Sequence, residues 1–106
     1  DMMIPGYVPE GYEFSTLEII SNDILVEYTY RFFDDNEKLE VRQVMNSDTT
    51  VYYEYDRKVE SGSITLMIKE DSEKCGFYTI KNGTVFINGN CSDAEMMKMA
   101  KKMIGS

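Results

Sequence analysis

Few side-chain types can carry chemistry in this chain, and the thiols, carboxylates and phenols are the candidates. Cys75 and Cys91 are its two thiols, Asp and Glu number 19, and histidine is absent. Without imidazole there is no Ser-His or Cys-His nucleophile pair, no histidine acid–base step and no ordinary transition-metal site. Two cysteines alone are too few for a zinc cluster. A hydrolytic carboxylate pair would have to stand apart by its spacing, and none does. The chain therefore reads as a non-enzyme, with no catalytic, cofactor-binding or metal-ligating residue assigned and no cofactor expected.

Three groups of residues invite a functional reading, each with a plainer one beside it. Asp34, Asp35, Asn36 and Glu37 are oxygen-rich, but they lack the alternating acids and central glycine of a calcium loop and suit a hairpin turn. Tyr28, Tyr30, Tyr52, Tyr53 and Tyr55 suit a binding face for protein, peptide or glycan, since tyrosine is enriched at interfaces. They equally suit half-buried sheet positions with the hydroxyl in water. Met96, Met97, Met99 and Met103 resemble an adaptable apolar surface, and the plainer reading is helix-to-sheet packing.

The elements that must position these residues follow from periodicity. Residues 1–11 hold both prolines and form an extended lead-in. Tyr12 to Ile20 reads as a strand whose imperfect alternation predicts a bulge or burial on both sides. Ile24 to Phe33 alternates, with Val26, Tyr28, Tyr30 and Phe32 on one face, and Lys38 to Met45 follows a polar turn. Pairing Phe33 with Lys38 sets Phe32 against Leu39, Tyr30 against Val41 and Val26 against Met45, so the apolar faces coincide. Val51 to Asp56 reads as a tyrosine-rich strand, Ser61-Gly62 as a break and Ser63 to Lys69 as a further strand. Cys75 to Lys81 and Thr84 to Asn90 flank Asn82-Gly83, a strong hairpin signal that sets Ile80 against Val85 and Tyr78 against Ile87. Ser92 and Glu95 form a capping box, and the helix it opens is expected to run to Ile104 and stop at Gly105.

This order of elements predicts an α+β fold. A curved antiparallel sheet of five to seven strands spans residues 12–90, with one C-terminal helix, residues 92–104, packed on it. All 106 residues fit a single domain. The net charge of −8 repels polyanions and argues against a nucleic-acid partner. No segment approaches the ~20 apolar residues that span a bilayer. The abrupt opening on Asp1 reads as a cut within a longer protein, so any membrane contact is expected through a segment outside these residues.

Two stretches resemble a known family. Ile4-Pro5-Gly6-Tyr7-Val8-Pro9-Glu10-Gly11-Tyr12 is similar to the opening of an uncharacterised domain family of Gram-positive bacteria. Asn82-Gly83, Phe86, Asn88-Gly89, Ser92-Asp93-Ala94-Glu95 and Met99-Ala100 are similar to its closing hairpin and helix. That family commonly carries a tryptophan near the position of Thr79 and an aliphatic residue in place of Cys91, and this chain departs from it at both. The resemblance implies a location outside the cell, on the cell surface and anchored to the membrane, in some members behind an anti-sigma-factor zinc finger and in others in lipoprotein-like proteins. It implies a non-catalytic binding or sensor module, with envelope-stress regulation as one setting. The alternative is a carrier or chaperone for a lipid or other apolar ligand. The partner would be a protein, a peptide or an apolar molecule. In that oxidising location a Cys75–Cys91 disulfide is expected, since the hairpin sets Cys75 against Asn90 and a bulge at Gly76 or Gly89 would bring the sulfurs into reach. Two unpaired, semi-buried thiols are the alternative.

Overall fold

The computed structural model describes residues 2–46 and 53–105. Among these described residues nine strands and one helix follow in chain order: β1 Met3–Pro5, β2 Glu13–Ser21, β3 Leu25–Asp34, β4 Glu37–Asn46, β5 Arg57–Ser61, β6 Ile64–Lys69, β7 Cys75–Ile80, β8 Gly83–Asn88, α1 Asp93–Lys101 and β9 Met103–Gly105. Seven strands form one antiparallel sheet in the order β2-β3-β4-β8-β7-β6-β5, and β1 pairs with β9 in a separate ribbon. The sheet is two meanders, β2-β3-β4 and β5-β6-β7-β8, joined where β4 meets β8. The α+β architecture read from the sequence is the one found.

Alternation decides which face each strand buries. Tyr30, Phe32, Leu39, Val41, Leu66, Ile68, Tyr78, Val85 and Ile87 point to one side and form the core with Met96, Met97, Met99 and Ala100 of α1. The β3–β4 register matches the expected one, with Phe33 opposite Lys38, Tyr30 opposite Val41 and Val26 opposite Met45. The anticipated irregularity in β2 is a register shift between Phe14 and Thr16.

Several expectations need correction. In the last hairpin Tyr78 lies opposite Val85 and Ile80 opposite Gly83, two residues away from the expected register. The tight loop is Lys81-Asn82, with Asn82 in the left-handed region at φ 63°. Gly83 instead opens β8, where a Cβ would collide with the Val44 carbonyl oxygen of β4. A close strand-to-strand approach, not the turn, requires that glycine.

The helix ends at Lys101, short of Ile104. The Lys102 N–H closes the last turn on the carbonyls of Lys98 and Met99, and its own carbonyl accepts from the Gly6 N–H at 3.0 Å. Met103–Gly105 then extends because β1 offers backbone partners. Met3–Pro5 of the extended lead-in is therefore paired, and Gly6 is bonded to Lys102 beyond it.

Arg57–Ser61 is a strand the sequence reading left out, since only Val59 among its five residues is apolar. Tyr53 to Tyr55 is irregular and not strand, while Val51 and Tyr52 lie outside the described residues. Asp56 rejoins the sheet through its N–H to the Ile68 carbonyl at 2.7 Å.

Candidate functional site

The five tyrosines do not share a face. Tyr30 is in the core, 6% exposed, with its hydroxyl donating to the Met3 carbonyl at 3.0 Å, and Tyr28 packs at the margin of the same core. Tyr53 and Tyr55 lie on the opposite side of the sheet. Tyr53 meets Phe86 edge-on at 5.0 Å and Phe77 at 5.5 Å, and Tyr55 meets Phe77 at 6.5 Å. These two tyrosines shield phenylalanines that would otherwise face water, with Arg42 over Phe86 and Lys58 over Tyr55. Tyr52 lies outside the described residues.

The expected Cys75–Cys91 disulfide is absent, and both thiols are free. The two-residue change of register sets Cys75 opposite Asn88. A Cβ on Gly76 would touch Met96 Sδ, so Gly76 faces the helix and its neighbour Cys75 faces away. Cys91 packs in the helix-side core. The sheet thus separates the two sulfurs. Burial pushes both thiols above their ordinary pKa, the opposite of an activated nucleophile. Thiol titration of the denatured, unreduced protein is expected to find two reactive groups per chain, and a value near zero would contradict the free-thiol state.

The start of α1 is a charged cluster. Ser92 caps the helix by accepting from the Glu95 N–H at 3.1 Å. The Glu95 carboxylate does not reach back as a capping box would; it accepts the Tyr7 hydroxyl at 2.6 Å, which raises the Tyr7 pKa. Lys98 sits 4.2 Å over the Tyr7 ring. Asp93 accepts from Arg57 at 2.7 and 2.9 Å and from Lys74 at 2.7 Å, and these partners hold its carboxyl well below the usual range. The cluster ties the helix start to β5 and to the β6–β7 loop. Because the folded pKa of Asp93 is depressed, its contribution is complete above the unfolded value of roughly 3.9 and is lost as pH falls below it. The melting temperature is expected to fall by a few degrees more in the wild type than in Asp93→Asn as pH drops from 5 toward 2. Equal pH profiles would refute that role.

The surface that remains open is at the far end of the sheet. All nine residues of β2 are exposed. Phe14, Leu17 and Ile19 pair with Phe32, Tyr30 and Tyr28 and so share the core-facing side, yet they are 60%, 37% and 56% exposed. The helix packs against β5 and β6 at the other end and leaves β2 uncovered. Sequence reasoning recognised this strand but not its exposure. Periodicity tells which residues share a face, and only the position of the helix tells which part of that face is covered.

Among the described residues no group of three or more acids or thiols could hold a metal ion, and no helix is long and apolar enough to cross a membrane. A family model described as a domain of unknown function, DUF4367, matches residues 2–103. The chain belongs to the DUF4367 family. The match takes in β1, the whole seven-stranded sheet, α1 and the first residue of β9, so the DUF4367 unit includes the ends that close on one another. No curated protein and no solved structure matches the chain.

Proposed function

We propose that this DUF4367 domain is a non-catalytic binding or sensor module working outside the cytoplasm as part of a membrane-anchored bacterial protein, with regulation of envelope stress as one setting. The observation that carries the binding role is the uncovered β2 surface, where Phe14, Leu17 and Ile19 extend the apolar core to the protein's exterior. An apolar strip of this kind marks a site of association. Absence of histidine and the raised thiol pKa values support a non-catalytic role. The extracytoplasmic, membrane-anchored setting rests on the similarity of the opening and closing segments to Gram-positive surface domains. The same exposed strip favours a second reading, a carrier or chaperone for a lipid or other apolar ligand.

Site-resolved crosslinking in the native host tests the binding role. A photo-crosslinking side chain at Ile19 is expected to capture a protein, while one at Thr79, exposed on the other face, captures none. Capture of lipid at Ile19 would favour the carrier reading, and no adduct at either position would overturn both. For location, Ser21→Cys is expected to react with a membrane-impermeant maleimide in intact cells. Labelling only after lysis would place the domain inside.

A further inference from the structure

The outer edge of β2 differs from the other edge of the sheet. At the far edge, β5 is five residues long, opens with Arg57 and Lys58 and is packed by the helix. Short length, basic side chains and cover are the usual means of blunting an edge. By contrast, β2 is nine residues long and contains neither proline nor lysine. It keeps an unbroken register with β3 from Thr16 to Ser21. No described segment pairs with its outer side.

Charge is concentrated around this same edge. Between Glu10 and Glu37 the sequence has eight carboxylates and one basic side chain, Arg31, a net −7 out of the chain's −8. Glu18 is paired with Arg31 and Glu27 with Arg42, and the other six make no ion pair with a described residue. Glu13 and the turn beginning at Asp34 stand at one end of β2, and Asp23 stands beyond the other. Ile20, Ile24 and Phe33, between 40% and 75% exposed, add apolar surface to the same hairpin.

Resting on the binding-module reading, the geometry points to an added strand. The outer edge of β2 takes an extended, lysine- or arginine-bearing segment of a partner protein as an eighth strand. Free backbone groups of β2 supply main-chain hydrogen bonds, Leu17 and Ile19 meet alternate apolar side chains, and the surrounding carboxylates select basic residues at the positions between. A second copy of the chain is a poor occupant, because it would set one −7 hairpin against another.

The test uses a nine-residue peptide alternating lysine with valine, and a control alternating glutamate with valine. The lysine peptide is expected to bind, to slow amide exchange at alternate residues of β2, and to weaken as salt rises. The glutamate peptide is expected to bind at least about tenfold more weakly, and the double variant E13K/E18K to lose a similar factor for the lysine peptide. Both substituted positions are exposed, and melting curves of the variant report whether it is folded. Equal binding of both peptides, protection mapping to the Tyr53–Phe86 face, no binding of the lysine peptide, or self-association through β2 in sedimentation would each overturn the added strand. A crosslink from Ile19 in cells without peptide-induced protection of β2 would overturn this inference and leave the binding module standing. Absence of any crosslink would remove the module itself.

Discussion

Truncating Met96 to alanine is expected to destabilise the protein by about 4 kcal/mol, in the upper half of the range for deleting a buried methionine. Met96 is fully buried at the centre of the helix-to-sheet contact. The position beneath it is Gly76, whose missing side chain is what lets the Met96 sulfur come close, since a Cβ there would lie 2.9 Å from it. The cost of a cavity depends on how far its walls can collapse. Here one wall is bare backbone at Gly76, with Leu66 the side chain beside it. Urea unfolding should show a lower midpoint with an unchanged slope, and a loss comparable to about a third of a small domain's total stability. Lys98→Ala, on the exposed side of the same helix, should change the midpoint little. A loss under about 1 kcal/mol for Met96→Ala would mean that the helix is not seated as described.

Gly83→Ala is the second large effect, on the order of 3 kcal/mol. The added methyl would strike the Val44 carbonyl oxygen, with Met45 Sδ 3.0 Å away. A flexible side chain such as Met45 can move, whereas a carbonyl within a ladder cannot move without breaking its strand. The β4–β8 ladder is the seam between the two meanders, so the damage falls where the halves of the sheet depend on each other. Hydrogen exchange should accelerate first along Gln43 to Met45 and Gly83 to Val85. Gly62→Ala provides the contrast. Gly62 has φ +61° with nothing within 4 Å of its missing Cβ, so backbone strain alone applies and the cost is about 1 kcal/mol. If the two glycines cost the same, close approach is not what Gly83 provides.

Where local pattern and tertiary contact agreed, the sequence was readable. The β3–β4 hairpin has clean alternation and a turn with Asp35 in the left-handed region, and its register followed from matching two apolar faces. In the last hairpin the same matching allowed two answers. A shift of two residues preserves every face, so matching faces does not choose between the two registers, and the hairpin turns at Lys81-Asn82 with Asn82 in the left-handed region. The cysteines are separated by face in either register, since Cys75 points away from the helix and Cys91 packs in the helix-side core. The end of the helix was decided elsewhere in the chain. Met103 and Ile104 continue an apolar stripe, but the backbone groups of Met3 to Gly6 were on offer and the chain became a strand. Of the candidate site, the tyrosines were visible as residues and not as a surface. Tyr28 and Tyr30 share the core-facing side of β3, while Tyr53 and Tyr55, far along the chain in an irregular segment, pack on Phe77 across the sheet. The exposure of β2 could not be read locally, because it depends on where a helix nearly eighty residues later comes to rest.

The closure of the two ends carries a mechanical consequence. Met3 lies opposite Gly105 and Pro5 opposite Met103, so tension applied through the first and last residues meets the ribbon at its open end. Its rungs would break in succession, as in a zipper, instead of sharing the load as sheared strands do. Next in line are the Gly6–Lys102 hydrogen bond and the Tyr7 contacts with Glu95 and Lys98. Met3 is also tied to the sheet, its N–H donating to Gln43 Oε1 and its carbonyl accepting from the Tyr30 hydroxyl, so freeing the ribbon means breaking these two bonds as well. A pull that breaks these could free the lead-in while the sheet stayed folded, giving the domain a first step of extension ahead of a stiffer one.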